Sequence, residues 1–170
     1  MRVAVIGAGL SGSSIYNALK KDDHNVVVFE KSRGVGGRCS TRYIEDKKID
    51  HGTPFFKAQS LEFSAFCDEL VKKDLLVKKS DTYYPRDGIN KICSVKDDDL
   101  LSNKKIVKEI RKNGKWTLTD SNGKIYDGFD RLVVTIPAPQ VLELDLELEK
   151  NTKESLMGVE YEPIAAVIMY

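Results

Sequence analysis

The run Gly7-Ala8-Gly9-Leu10-Ser11-Gly12 is entered directly from Arg2 to Ile6, a short β-branched stretch, and no other junction constrains the fold of this chain as strongly. Glycines at that spacing mark a backbone path that side chains would obstruct. The stretch before them reads as a buried parallel strand, and after them Ile15, Ala18 and Leu19 have helical spacing. Lys20 and Lys21 suit the negative end of that helix, and Asp22-Asp23-His24-Asn25 makes a turn. Asn25 to Phe29 is then a second apolar strand, which stops at Glu30.

Composition narrows what can be built around this junction. With 170 residues, 41% hydrophobic and 31% charged, the chain is one ordinary globular domain or part of one. Its 27 basic and 26 acidic side chains leave a net charge of +1, which removes any electrostatic case for nucleic acid. The paired lysines (Lys20-Lys21, Lys47-Lys48, Lys72-Lys73, Lys78-Lys79, Lys104-Lys105) have acidic neighbours and read as solvated surface. Cys39, Cys67 and Cys93 form no CxxC pair, so neither a disulfide framework nor a zinc site is indicated, each reads as a small core residue, and a reducing cytoplasm fits. His24 and His51 are too few to build a metal site. No apolar stretch reaches the roughly 20 residues of a membrane span, so no membrane partner is expected.

Strand, glycine turn, helix, strand and terminal acid together make the dinucleotide-binding fingerprint, with the acid at the expected distance of about 20 residues. Gly7 permits the tight turn, Gly9 admits pyrophosphate oxygens to the backbone, and Gly12 lets helix and strand pack closely. The helix amino end, around Ala8, Leu10 and Ser11, supplies N–H donors and positive dipole. Glu30 can accept both hydroxyl protons of an adenosine ribose and repels a 2′-phosphate. Tyr16 is bulky for the sheet-facing side of such a helix, and an outward orientation would accommodate it.

A second glycine cluster follows at once: Lys31-Ser32-Arg33-Gly34-Val35-Gly36-Gly37-Arg38. Arginine beside paired glycines suits a diphosphate, because the guanidinium offers a planar fork and glycine clears the approach. The run EKSRGVGGR, then CSTR, then Asp50-His51-Gly52-Thr53-Pro54-Phe55-Phe56, resembles the bacterial renalase-like branch of the amine oxidase superfamily of flavoproteins. The resemblance implies FAD as cofactor, Arg38 by its pyrophosphate and ribityl chain, and Gly52 and Thr53 close to the isoalloxazine. Lys31, Gly36 and Gly37 join the cofactor-binding candidates on the same ground. Pro54 stands where relatives usually carry Gln. Backbone positioning of Gly52 is preferred to a catalytic role for His51, and no catalytic acid, base or nucleophile is named.

Farther on, Ser60 is a helix cap, with Phe63, Phe66, Cys67, Leu70 and Val71 as a core-packing stripe. Short strands are expected at Leu75 to Val77 and Thr82 to Tyr84, and Pro85-Arg86-Asp87-Gly88 is a turn. Lys104 to Lys112, Lys115 to Thr119 and Lys124 to Tyr126, separated by Asn113-Gly114 and Asn122-Gly123, form a three-stranded meander. In the family such a meander pairs backbone groups with the adenine edge, which by position falls on Val107. Phe129 to Pro137 returns as a parallel strand. Leu142, Leu144, Leu146 and Leu148 alternate at strand period although the family is helical there, and that stretch stays open. Pro163 to Tyr170 reads as an apolar strand without its partners, so the chain resembles the amino-terminal part of a longer flavoprotein, with a carboxy-terminal half as the missing partner.

The expected architecture is α/β: a Rossmann-like FAD/NAD(P)-binding domain over 1–57 and 88–145, with an inserted β-meander, and an incomplete substrate domain over 58–87 and 146–170. The expected function is that of an FAD-dependent oxidoreductase taking hydride from an amine or dihydronicotinamide-type small molecule, with dioxygen as acceptor. Two alternatives remain: an NAD-dependent oxidoreductase that uses only the first fingerprint, and a truncated remnant or nucleotide-binding module without turnover.

Overall fold

The computed structural model describes residues 1–144 and 146–168. In chain order it begins with β1 (Arg2–Ile6), α1 (Leu10–Lys21) and β2 (Asn25–Phe29). A hairpin of β3 (Thr41–Ile44) and β4 (Lys47–Asp50) follows, then β5 (Phe56–Lys57), α2 (Leu61–Lys72), β6 (Leu76–Lys79) and β7 (Thr82–Pro85). After short helical turns come β8 (Leu100–Leu101), β9 (Ile106–Lys112), β10 (Lys115–Asp120), β11 (Ile125–Phe129), β12 (Arg131–Val134), α3 (Ala138–Leu142) and α4 (Lys150–Met157). The chain divides into two compact units, Met1–Val35 with Ser94–Ile164, and Gly36–Cys93 with the segment from Ala165.

The first unit is built on a parallel sheet of order β12-β1-β2-β8. β1 is central: Val3 to Ile6 pair with Arg131 to Val134 on one side and with Val26 to Phe29 on the other. Both faces of such a strand are covered, which is why its residues are apolar without alternation. Side chains nevertheless divide by parity. Val3, Val5, Val26 and Val28 pack with Tyr16 of α1, whereas Ala4, Ile6 and Phe29 pack with Ile106, Leu118 and Phe129 of the meander. Tyr126 and Phe129 meet Phe29 edge-on at centroid distances of 4.9 and 5.9 Å.

The meander has the expected form, with strand order β11-β10-β9 and antiparallel pairing throughout. Its first turn places both Asn113 and Gly114 at positive φ, 52° and 76°, the geometry that matches the twist of a two-residue hairpin. Asp120 closes the second turn. Its buried carboxylate accepts the N–H groups of Asn122 and Lys124 and the Tyr126 hydroxyl, and Lys104 lies 3.5 Å away. Burial pushes that carboxyl up, but these donors and the lysine outweigh it and hold it below the usual carboxylate range.

Three expectations are corrected here, and one stretch left open by its sequence is resolved. Tyr16 does not point outward; it is 2% exposed, and its hydroxyl donates to Asp99 at 2.7 Å, a satisfied polar tip that makes a large ring tolerable against the sheet. The returning strand is shorter than expected, because Phe129 completes the meander and β12 ends at Val134. Around Leu142 the chain forms α3 and then, over the described residues 146–149, no regular element. The described part of the apolar terminal run is not a strand: Ile164 and Val167 are 90% and 83% exposed. A strand exists only through a hydrogen-bonded neighbour, and periodicity alone does not supply one.

In the second unit β5, β7 and β6 form an antiparallel sheet in that order, and β3 pairs with β4. The Ser60 side chain caps α2 by accepting the Phe63 N–H at 3.1 Å. Cys67 and Leu70 are buried on that helix, although Phe66 of the same stripe is exposed. Tyr83 stacks on Phe56 and donates its hydroxyl to Asp68 at 2.9 Å. The β3–β4 hairpin was not among the expected elements; its residues, Thr41-Arg42-Tyr43-Ile44 and Lys47-Lys48-Ile49-Asp50, are too polar for a clear period-two signal.

The lysine pairs find acidic neighbours, including Asp99 for Lys20, Asp87 for Lys48 and Glu69 for Lys72. Such exposed pairs keep the surface charged and contribute little to stability.

Candidate nucleotide-binding site

Between β1 and α1 the chain turns on Gly7, whose φ is +103°. Its N–H donates to the Phe29 carbonyl at 2.8 Å, which ties the turn to the end of β2. A Cβ on Gly12 would stand 1.9 Å from the Gly7 carbonyl oxygen, so glycine there is a condition of helix and strand packing at this distance. Thr135, just beyond β12, donates its hydroxyl toward the carbonyls of Ile6 and Gly7 at 3.0 and 3.1 Å. The sequence pattern did not mark Thr135 as part of the site, although a lone hydroxyl ending the apolar run Leu132-Val133-Val134 is the signal that carries it.

Gly9 occupies the N-cap of α1 and offers no side-chain acceptor, and the first turn contains no acidic residue. The N–H groups at this helix start, around Leu10 and the exposed Ser11, thus meet no competing carboxylate of their own helix. That is the donor arrangement an anion such as a diphosphate takes. Glu30 lies 6% exposed at the end of β2. One carboxylate oxygen accepts the Ala8 N–H at 2.8 Å and the other the Ser32 N–H at 2.8 Å. Its own backbone is pinned by Leu101 and Lys104 at 2.9 and 2.8 Å. The acid expected for a ribose is therefore also a structural clasp between the glycine turn and the segment after β2. Lys31 is exposed and donates to the Gln140 side chain at 3.2 Å. Val107, on the outer strand β9 of the meander, is 42% exposed.

Within the second unit the remaining candidates gather around the Arg38 backbone. Gly36 and Gly37 have φ of +132° and +58°, and a Cβ on Gly36 would approach the Cys39 carbonyl oxygen to 2.4 Å. The Arg38 carbonyl accepts the Thr53 hydroxyl at 3.2 Å, and a Cβ on Gly52 would come within 2.0 Å of that same oxygen. Two glycine-bearing segments thus close on one carbonyl while the Arg38 side chain stays exposed. The His51 N–H donates to the Ser40 carbonyl at 3.1 Å, which continues the contact.

A parallel sheet with a glycine turn into a helix, closed by a buried acid one strand later, decides the architecture. The fold is that of a Rossmann-like dinucleotide-binding domain. Residues 5–70 match the family model for the NAD(P)-binding Rossmann-like domain. The chain is similar to renalase from Mus musculus, at 26% identity over 94% of this chain and 55% of renalase. Over 28% of the chain it is 47% identical to an L-amino acid oxidase from Cerastes cerastes, of which that match covers 9%. Among solved structures, a putrescine oxidase double mutant redesigned in cofactor binding superposes with a TM-score of 0.73 at 12% identity, covering 92% of this chain and 63% of that one. The chain thus spans about half the length of renalase. Among the described residues no helix is long and apolar enough to cross a membrane, and no cluster of histidine, cysteine or carboxylate side chains is arranged to hold a metal ion.

Proposed function

We propose that the chain binds FAD and supplies the nucleotide-binding part of an oxidoreductase acting on an amine or dihydronicotinamide-type substrate. The observation that carries this reading is the Gly7–Gly12 turn clasped to Glu30, which fits the diphosphate and ribose of an adenine dinucleotide. The helix start would hold the diphosphate, and the Glu30 oxygens, each with a lone pair to spare, would accept the ribose hydroxyls. Arg38 of the second unit, exposed beside Gly36 and Gly37, is a planar cationic fork of the kind a diphosphate takes, and the resemblance to flavoproteins assigns it to FAD. The names of the relatives, a putrescine oxidase and an L-amino acid oxidase, support an amine-bearing substrate. Bound FAD supplies the hydride acceptor, and dioxygen is the proposed final acceptor. The protein's own contribution is to bind and orient; no side chain is assigned a proton-transfer step.

A second reading, an NAD-dependent oxidoreductase, is favoured by the family match over 5–70. Calorimetric titration of the purified chain with FAD and with NAD separates the two. FAD binding weakened at least tenfold by Arg38→Ala supports the flavin reading. Binding of NAD alone supports the second, and binding of neither overturns both.

A further inference from the structure

Two of the three cysteines are neighbours in the second unit. The Cys39 backbone N–H donates to the Gly36 carbonyl at 2.9 Å, and the Cys93 thiol reaches the same oxygen at 3.9 Å. One carbonyl therefore holds both residues, which brings the Cys93 side chain close enough to act on the Cys39 thiol. Both are buried and reduced, at 9% and 3% exposure. The Cys93 thiol is the strongest influence on Cys39 and draws it down to about 7. Burial opposes this, the Arg38 charge and Thr53 hydroxyl reinforce it, and Asp50 pushes back weakly. Cys67, on α2, is pushed up to about 11 by burial and by Asp68. One thiol is thus poised to be a thiolate near neutrality with a second thiol beside it, while the third is inert.

We infer that Cys39 and Cys93 form a redox pair that closes to a disulfide when the protein meets a hydroperoxide, Cys39 attacking and Cys93 resolving. The Cys39 thiolate attacks one peroxide oxygen; an S–O bond forms, the O–O bond breaks, and the departing hydroxide takes a proton to leave as water. The Cys93 sulfur then attacks the Cys39 sulfur; the S–S bond forms, the S–O bond breaks, and the second hydroxide leaves as water with the Cys93 proton. Two thiols are oxidised by two electrons in all, and one peroxide is reduced to two waters. The bond would join the two ends of the segment Gly36–Cys93, with Cys39 near its start and Cys93 at its close. A loop of roughly 50 residues is closed, long enough for a marked gain in stability in the chain-entropy description. The inference does not depend on flavin binding, because added hydrogen peroxide suffices.

The test treats the reduced, purified chain with stoichiometric hydrogen peroxide at neutral pH, then denatures it, alkylates it and maps it by mass spectrometry. The expected product has lost two hydrogens, is alkylated at Cys67 alone and yields a cross-linked Cys39–Cys93 peptide. Cys93→Ser is expected to stop at a sulfenic acid on Cys39, trapped by dimedone, and Cys39→Ser to leave Cys93 alkylated. Alkylation of all three thiols in the treated chain, or oxidation of Cys39 beyond the sulfenic acid with Cys93 still alkylated, overturns the pair. Should a serine variant fail to fold, the wild-type cross-link decides, together with Cys39 alkylation that rises to half its maximum near pH 7 rather than near 9.

Discussion

Glu30 clasps two segments of backbone with one carboxylate, and it is also the acid proposed to meet an adenosine ribose. Its oxygens already hold the Ala8 and Ser32 N–H groups, and Ala8 is fully buried, so removing the side chain strands a donor away from water. Glu30→Ala is expected to lower stability by about 2 kcal/mol in urea unfolding. It is also expected to weaken adenine dinucleotide binding, whereas Glu30→Gln, which keeps one acceptor oxygen, recovers part of the lost stability. An unchanged urea midpoint in the alanine variant would show the clasp to be ornamental. At this scale the identity of the acid was legible from its distance after the glycines, but its second role was not. Which backbone N–H groups a carboxylate reaches depends on where the next segment of chain folds back.

The glycines of the two turn types separate two physical causes at the scale of the element. Gly12 has ordinary backbone angles but no room: its Cβ would fall 1.9 Å from a backbone oxygen. Gly114 has open space around it but a φ of +76°. Gly12→Ala is therefore expected to cost about 3 kcal/mol or more, since helix α1 must move off β1. Gly114→Ala is expected to cost only about 1 kcal/mol, the dihedral penalty of a left-handed residue, with the hairpin retained. Chemical denaturation with circular dichroism measures both, and equal losses would contradict the distinction. The meander itself was readable because its two Asn-Gly turns and flanking runs are local signals. The β3–β4 hairpin was not, because both its strands are polar and half-exposed and carry no face. Tyr16 was misjudged for a related reason: its ring fits against the sheet only because Asp99, far away in sequence, receives its hydroxyl.

For the molecule as a whole, the terminal run is the instructive case. Ile164 and Val167 are apolar in sequence yet exposed in the chain, so Ile164→Asp is expected to change the stability of these 170 residues by no more than about 0.5 kcal/mol. A loss of several kcal/mol on denaturation would mean that the segment is packed after all. The sequence by itself determined the strand, turn and helix at the amino terminus, the acid that closes them and the meander, because each is written in residues adjacent along the chain. Only the tertiary structure decided that β1 lies between β2 and a strand more than a hundred residues later, that Thr135 supports the glycine turn, and that Cys39 and Cys93 meet at one carbonyl. Those outcomes rest on pairings between distant segments, whose free energy comes from burying both partners together and leaves no period or spacing in either one alone.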